Sequence, residues 1–367
     1  MCMQQNFKRV HNFFAGPAVL PEPVINEVQR EFVNFKDMGA SVLEISHRSD
    51  EWESTIAGCV EKIRNLLSVP DNYHVLFLQG GASTQFGMVP MNIAPKGGPV
   101  QLVHTGRWSE KKLTELKIQN IDYDIIASSE ETNYDRVPEF DPSNINPDAE
   151  YFHICSNETI GGVQWQQYPE TGDVPLVADM SSDIMSRPLD IEKFGLIYAG
   201  AQKNVGPAGA TLVIIRDDLV QRTPDDVPTM LRYETHVKKD SMYNTPPVFS
   251  IYVVDKVMEW LQEQGGVEAM AKKNEKKANL VYNVIDEDDF YRGAAHPDSR
   301  SKINITFRLP SEELEEKFVA EAEAEDLVGL KGHRSVGGCR ASMYNSLPVE
   351  AAEALAEFMS DFRNKNG

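Results

Sequence analysis

The chain has 367 residues, 41% of them hydrophobic and 25% charged, and its excess of acidic side chains sets the formal charge at −20. That length suits one large domain plus a smaller one, and that charge argues against nucleic acid or an anionic membrane as a partner. An anionic substrate would need a locally basic pocket against this background.

Cys2, Cys59, Cys155 and Cys339 are scattered, with no CxxC and no zinc-like pairing, which fits free thiols in a reducing compartment and no metal site. The opening stretch Met1 to Phe7 has no apolar signal core, and no run approaches membrane-spanning length. Cytoplasm is the expected address.

In chain order, Val24, Val28, Phe32 and Phe35 recur at helical spacing after Pro21. A second helix follows His47-Arg48, with Trp52, Ile56, Cys59, Ile63 and Leu66 on one face. Seven apolar β-type runs then alternate with helical or loop segments. They begin at Val75, Val100, Tyr123, Phe152, Leu176, Leu196 and Leu212. Alternation of this kind predicts an α/β fold, a mostly parallel sheet between helices, with chemistry gathered beyond the carboxyl ends of the strands. From Pro247 to Ile285 the pattern is helical, broken at Gly265-Gly266. A strand at Ile303 to Phe307, an acidic helix from Ser311 to Glu325, a strand near Gly338 to Met343 and a final amphipathic helix complete the chain. The expected division is a large domain of residues 17–260 and a smaller α+β C-terminal domain of residues 261–367, joined by an N-terminal segment, 1–16.

Lys203 stands out because it lies between two apolar runs, in a turn of small residues where lysines are rare unless paired or used. Burial lowers an amine's pKa and makes it the nucleophile that Schiff-base chemistry needs. The run Val174 to Ala178 ends on Asp179. A carboxylate at one strand end and a lysine on the next connection could hold pyridoxal 5'-phosphate (PLP), Asp179 at the pyridinium nitrogen and Lys203 at the aldehyde. A structural Asp–Lys pair at the sheet edge is the alternative.

Gly80-Gly81-Ala82-Ser83-Thr84-Gln85 follows a strand and opens a helix, so its N–H groups could receive a phosphate. It is neither GxGxxG nor a Walker A loop, and it could equally be an ordinary tight turn. Trp108 could stack on a flat ring or simply cover the sheet edge. Thr159, in a Gly-rich strand exit, could bond a ring hydroxyl, and Gln202 could reach the phosphate. Two basic clusters stand out: His47 with Arg48, and the Gly-rich stretch holding His333, Arg334 and Arg340. Arginines in such loops suit bidentate capture of carboxylate or phosphate, unless they bridge surface acids.

Taken together, these segments closely resemble the phosphoserine aminotransferase family of class V, fold-type-I PLP enzymes, nearly end to end. The resemblance rests on Asn12 to Ala18, Glu44 to Arg48, Ser156 to Gly162, Ala178 to Ser182, Tyr198 to Gly209, Tyr243 to Pro247 and Leu330 to Ser342. It implies a transaminase acting on L-glutamate and 3-phosphohydroxypyruvate, with Lys203 and Asp179 catalytic. It further implies that Trp108 stacks on the PLP ring, that Thr159 meets its hydroxyl, and that Ala82, Ser83 and Gln202 bind its phosphate. Asn244 and Thr245 match a pair that reaches this phosphate from a neighbouring subunit, which implies a homodimer with shared sites. Arg340 would hold the substrate α-carboxylate, and His47, Arg48, His333 and Arg334 its distal anion. Where some members have an arginine in the Gly-rich loop, this chain has Ser83. Action on 4-phosphohydroxy-L-threonine, in vitamin B6 synthesis, stays open. So do a class V relative acting on small amino acids, a desulfurase using Cys339, and a silent PLP carrier.

Overall fold

The computed structural model describes residues 8–95 and 97–367; Cys2 and the first seven residues of the N-terminal segment lie outside them. A short strand β1 (His11–Asn12) leads into helices α1 (Glu22–Glu31) and α2 (Asp50–Leu67). The alternating section runs β2 (Tyr73–Leu78), α3 (Gly81–Ile93), β3 (Val100–His104), α4 (Arg107–Ile118), β4 (Tyr123–Ser128) and β5 (Tyr151–Cys155). It continues through a small hairpin, β6 (Asn157–Glu158) and β7 (Val163–Gln164), to β8 (Leu176–Asp179), β9 (Phe194–Gly200) and β10 (Thr211–Arg216). Then come α5 (Asp217–Val220), α6 (Tyr233–Val237), α7 (Val248–Glu263) and α8 (Gly266–Ile285). The chain closes with β11 (Arg292–Gly293), β12 (Asn304–Arg308), α9 (Glu312–Ala324), β13 (Leu327–Val328), β14 (Cys339–Ser342) and α10 (Val349–Asn366).

The central sheet has seven strands in the order β2-β10-β9-β8-β5-β3-β4. Every pairing is parallel except those of β10, which runs antiparallel to both β2 and β9. Successive side chains point to opposite faces, so Leu212 and Ile214 join one apolar layer while Val213 and Ile215 join the other. The first layer is closed by α2 and α7, through Trp52, Ile56, Ile63, Val254 and Met258. The second is closed by α3 and α4, through Phe86, Val89, Leu113 and Leu116. Both faces of the sheet are therefore covered, which is why its strands read as continuous apolar runs rather than alternating ones.

A third apolar cluster forms around α8, α9, α10 and the three-stranded sheet β11-β12-β14. Phe318 sits at its centre, with edge-to-face neighbours Phe307 at 5.7 Å and Phe362 at 5.2 Å. Phe13 and Val19 belong to this cluster too, and β1 pairs with β13, so the N-terminal stretch is tied to the C-terminal part of the fold. Among the described residues no helix is long and apolar enough to cross a membrane.

One expected helix is shorter than its spacing suggested. α1 stops at Glu31, and Phe35 lies in a separate single turn, Phe35–Asp37. The Asn34 side chain accepts from Gly39 N at 2.8 Å and donates to Asp37 Oδ1 at 3.1 Å, and these local bonds compete with helix continuation. Phe32 and Val33 are left 40% and 73% exposed.

The C-terminal part is fastened to the central sheet by buried polar side chains. Asn204, on the β9–β10 connection, accepts from Asn345 N at 3.0 Å, and Asn345 donates to Met185 O at 2.8 Å. Asn274 bonds Asn345 Oδ1 at 2.9 Å and Ser186 O at 3.1 Å. On the same helix, Lys277 is 1% exposed and donates to Met343 O, Tyr344 O and Leu347 O at 3.1, 2.7 and 3.2 Å. Lys277→Met leaves those carbonyls without their donor, and we predict a loss of about 2–4 kcal/mol in urea unfolding. An unchanged midpoint would mean that the carbonyls find other partners.

Candidate functional site

The strands deliver their chemistry to one edge. β2 runs into Gly80, β3 into Trp108, β5 into Thr159, β8 ends on Asp179, and β9 turns into Lys203. A cavity of about 240 Å³ lies there, walled by Gly80, Ala82, Ser83, Trp108, Asp179 and Lys203, among others. A larger cavity, about 480 Å³, lies between α2 and the edge strand β2. A half-buried lysine and a buried carboxylate converge on the smaller one, so that is where we place the chemistry.

At its floor, Lys203 Nζ donates to Thr159 Oγ1 at 2.6 Å and lies 5.4 Å from the centroid of the Trp108 ring. Burial pulls this amine below its ordinary range, while Asp179 acts in the opposite sense. Burial likewise pushes the Asp179 carboxyl up, opposed by Ser181 and by Lys203. Asp179 Oδ1 accepts from Ser181 N at 2.9 Å, and the Ser181 hydroxyl accepts from Gly200 N at 3.1 Å, which fixes the carboxylate against β9. Cys155 lines the same cavity, but burial raises its thiol well above the usual range, which leaves it inert.

At the opposite end α3 begins. Gly80 takes the left-handed φ of +87° that lets the chain turn from β2 into this helix, whose first turn holds no acidic residue and no side-chain cap. Its leading N–H groups, from Gly81 to Ser83, are free to meet an anion. Gln202 is also in the wall. Trp108 Nε1 is buried without a hydrogen-bond partner. A cation floor, a buried carboxylate, an aromatic wall and a helix N-terminus fit PLP in kind and in order. Lys203, Asp179, Trp108, Thr159, Ala82, Ser83 and Gln202 are the residues that would hold it.

The substrate-side residues are less uniformly gathered. Arg340, on β14, donates from Nη1 to Thr159 O at 3.4 Å, and its buried Nε has no partner. His333 and Arg334 sit on the turn between Lys331 and Cys339, where Gly332 N bonds Gly338 O at 2.8 Å. The His333 imidazole is held low by burial and then by Arg340, Arg334, Arg107 and Lys111. Arg107 and Lys111 thus join this basic group, although sequence reasoning passed over them; their place beside Trp108 on α4 was the available signal. Lys111 Nζ stands 4.5 Å from the Trp108 ring centroid.

His47 and Arg48, just before α2, do not wall this cavity, and His47 Nε2 is buried without a partner among the described residues. Asn244 and Thr245 are exposed and also lie outside this wall. Asn244 instead lines an adjoining cavity with Gln79, Gly80 and Thr84. Asn157, Ser181 and Ser182 line the site, and the sequence singled out none of them individually.

With this geometry in place, the relatives are informative. The profile of a family described as aminotransferase class-V matches residues 10–355. A phosphoserine aminotransferase of Syntrophobacter fumaroxidans is 54% identical over 98% of this chain and 99% of its own. A phosphoserine aminotransferase structure from Bacillus circulans subsp. alkalophilus superposes with a TM-score of 0.95 at 51% identity, over 98% of this chain and 99% of that one. A PLP-bound phosphoserine aminotransferase from Trichomonas vaginalis does so with 0.91 at 38% identity, over 96% and 100%.

Ser83→Asp tests the phosphate cup in two directions. A carboxylate in the first turn of α3 favours the helix, so the apoprotein should gain roughly 0.3–1 kcal/mol in thermal unfolding. The same charge repels a phosphate, so PLP affinity measured by equilibrium dialysis should fall about tenfold or more. Unchanged affinity would place the phosphate elsewhere.

Proposed function

The chain belongs to the class V aminotransferase family, and from that premise we infer a PLP-dependent transamination between L-glutamate and 3-phosphohydroxypyruvate, giving 2-oxoglutarate and O-phospho-L-serine. It is the reaction of serine biosynthesis for which the full-length relatives are named. The observation that carries the reading is the Lys203 amine beside Thr159 and Asp179, in a cavity closed at its other end by a bare helix N-terminus.

Bound PLP supplies an electrophilic aldehyde and an electron-withdrawing ring. Lys203 is the group that would engage the aldehyde and, as a free amine, would carry the proton from the substrate's Cα to the former aldehyde carbon, and in the opposite direction with the keto acid. The pull of burial on its amine suits this exchange, because it favours the neutral, nucleophilic form. Asp179 keeps the ring nitrogen protonated. Thr159 orients the ring hydroxyl and Trp108 covers one face. Ala82, Ser83 and Gln202 hold the phosphate.

Arg340 receives the α-carboxylate shared by both substrates, from a position where its guanidinium meets only a backbone carbonyl. His333 and Arg334, with His47 and Arg48 from a second copy, receive the phosphate or the distal carboxylate. The proposal therefore includes a homodimer. Its supports are Asn244 and Thr245 lying outside their own cavity, and the exposed apolar side chains Phe32, Val33, Met38 and Leu43. 4-Phosphohydroxy-L-threonine presents the same α-amino acid and phosphate ester, and we include it as a second substrate. A cytoplasmic location fits the free thiols of Cys59, Cys155 and Cys339.

Visible spectra test the whole reading. Protein loaded with PLP should lose its visible band on adding L-glutamate and regain it with 3-phosphohydroxypyruvate. Recovery with pyruvate but not with the phosphorylated acid would discard the substrate assignment and keep the transaminase. Lys203→Ala should abolish the exchange, and Arg340→Gln should raise KM for both substrates by roughly tenfold to a hundredfold. An effect on one substrate alone would remove Arg340 from the shared carboxylate.

A further inference from the structure

Glu158 lies between two residues of the site, Asn157 and Thr159, yet its own side chain turns away from the cavity and is 1% exposed. It goes to the first turn of α4. Oε2 accepts from Trp108 N at 3.2 Å, and Oε1 accepts from Ser109 N at 3.3 Å, from Ser109 Oγ at 3.3 Å and from Thr105 Oγ1 at 3.4 Å. The leading N–H groups of a helix have no acceptor within it, and no side chain of the preceding turn caps α4 in the usual way. Gly106, its N-cap, has none to offer. A carboxylate from β6, some fifty residues later, takes that place.

The fit leaves no room for a cap from Gly106's own position. A Cβ on Gly106 would stand 2.9 Å from Glu158 Cδ, so glycine here is the counterpart of the buried glutamate. Burial pushes the Glu158 carboxyl up, and the Trp108 and Ser109 N–H groups pull it back toward the charged form. Gly162 N closes the β6–β7 turn onto Glu158 O at 2.8 Å, so the backbone that carries Thr159 is held as firmly as the side chain.

We propose that Glu158 is a positioning residue for the cofactor pocket. One buried carboxylate locks the helix start that carries Trp108 to the strand exit that carries Thr159, and so sets the aromatic wall and the hydroxyl partner of Lys203 in register. This deepens the transaminase reading and rests on it. A generic helix cap would stabilise α4 and stop there. A positioning residue also fixes where Trp108 and Thr159 stand relative to Lys203.

Glu158→Gln keeps the shape and reverses part of the chemistry, since an NH₂ group must then face either the Trp108 N–H or the Ser109 and Thr105 donors. Three quantities separate the roles: the PLP dissociation constant of the apoprotein, the visible circular dichroism of the bound cofactor, and apoprotein thermal unfolding. E158Q should raise the dissociation constant about tenfold and lose most of the visible dichroic band, while kcat falls on the order of a hundredfold and KM for L-glutamate stays within about twofold. Glu158→Asp, which keeps the charge but retreats by one methylene, should fall between the two. A lower unfolding temperature with wild-type dichroism and wild-type PLP affinity would overturn the proposal, because that is what a cap alone does. If E158Q is insoluble, E158D is read by the same criteria; insolubility of both would also overturn it, by marking a folding role. Should the wild-type protein itself fail to bind PLP, the transaminase reading falls, and that outcome is visible before any variant is compared.

Discussion

The amine of Lys203 is the constraint around which the rest is arranged. A lysine at the floor of a cavity loses hydration, and its charged form becomes costly. Asp179 is near enough to oppose that loss, and Thr159 accepts one hydrogen bond, at 2.6 Å. Burial favours the neutral amine and Asp179 the charged one, and the neighbouring residues hold these two opposed influences in place. β8 and β9 lie side by side, Ser181 holds the carboxylate against β9, and Trp108 walls the cavity.

How much of this the sequence exposes depends on how local the cause is. Lys203 and Asp179 were legible because each stands at the end of an apolar run, and adjacent parallel strands bring such ends together. The Gly80 turn was legible for the same reason. The antiparallel course of β10 was not, because a strand buried on both faces reads the same in either direction. α1 ended early because of Asn34, whose side-chain bonds a helical spacing pattern does not weigh. The role of Glu158 is invisible to spacing of any kind, since it depends on which helix start comes to rest against β6. Arg107 and Lys111 offered one signal, their place beside Trp108 on α4, but their influence on His333 depends on where the distant β14 turn comes to rest.

The strong acidity has a second meaning once the site is built. With a formal charge of −20, most cations have carboxylates within reach, and many take them, as Lys62 does with Asp255 and Arg300 with Asp286. Among the described residues, Arg340, Lys111 and His333 form no such pair. Against an acidic surface, a region that keeps its positive charge unpaired stands out to a doubly charged anion.

The reversed direction of β10 has a mechanical consequence. Because β9 and β10 are antiparallel neighbours, the segment carrying Lys203 leaves the sheet and re-enters it one strand away, closed by Ala201 N to Ala210 O at 3.0 Å. A parallel partner would have required a helical crossover, and the lysine would then have hung from a lever outside the sheet. As it stands, Lys203 and Asp179 share the central sheet, whereas Arg340 and His333 belong to the C-terminal part that Asn204, Asn274 and Asn345 fasten to it. The position of the lysine is therefore set by strand pairing on both sides of its connection, β9 lying between β8 and β10.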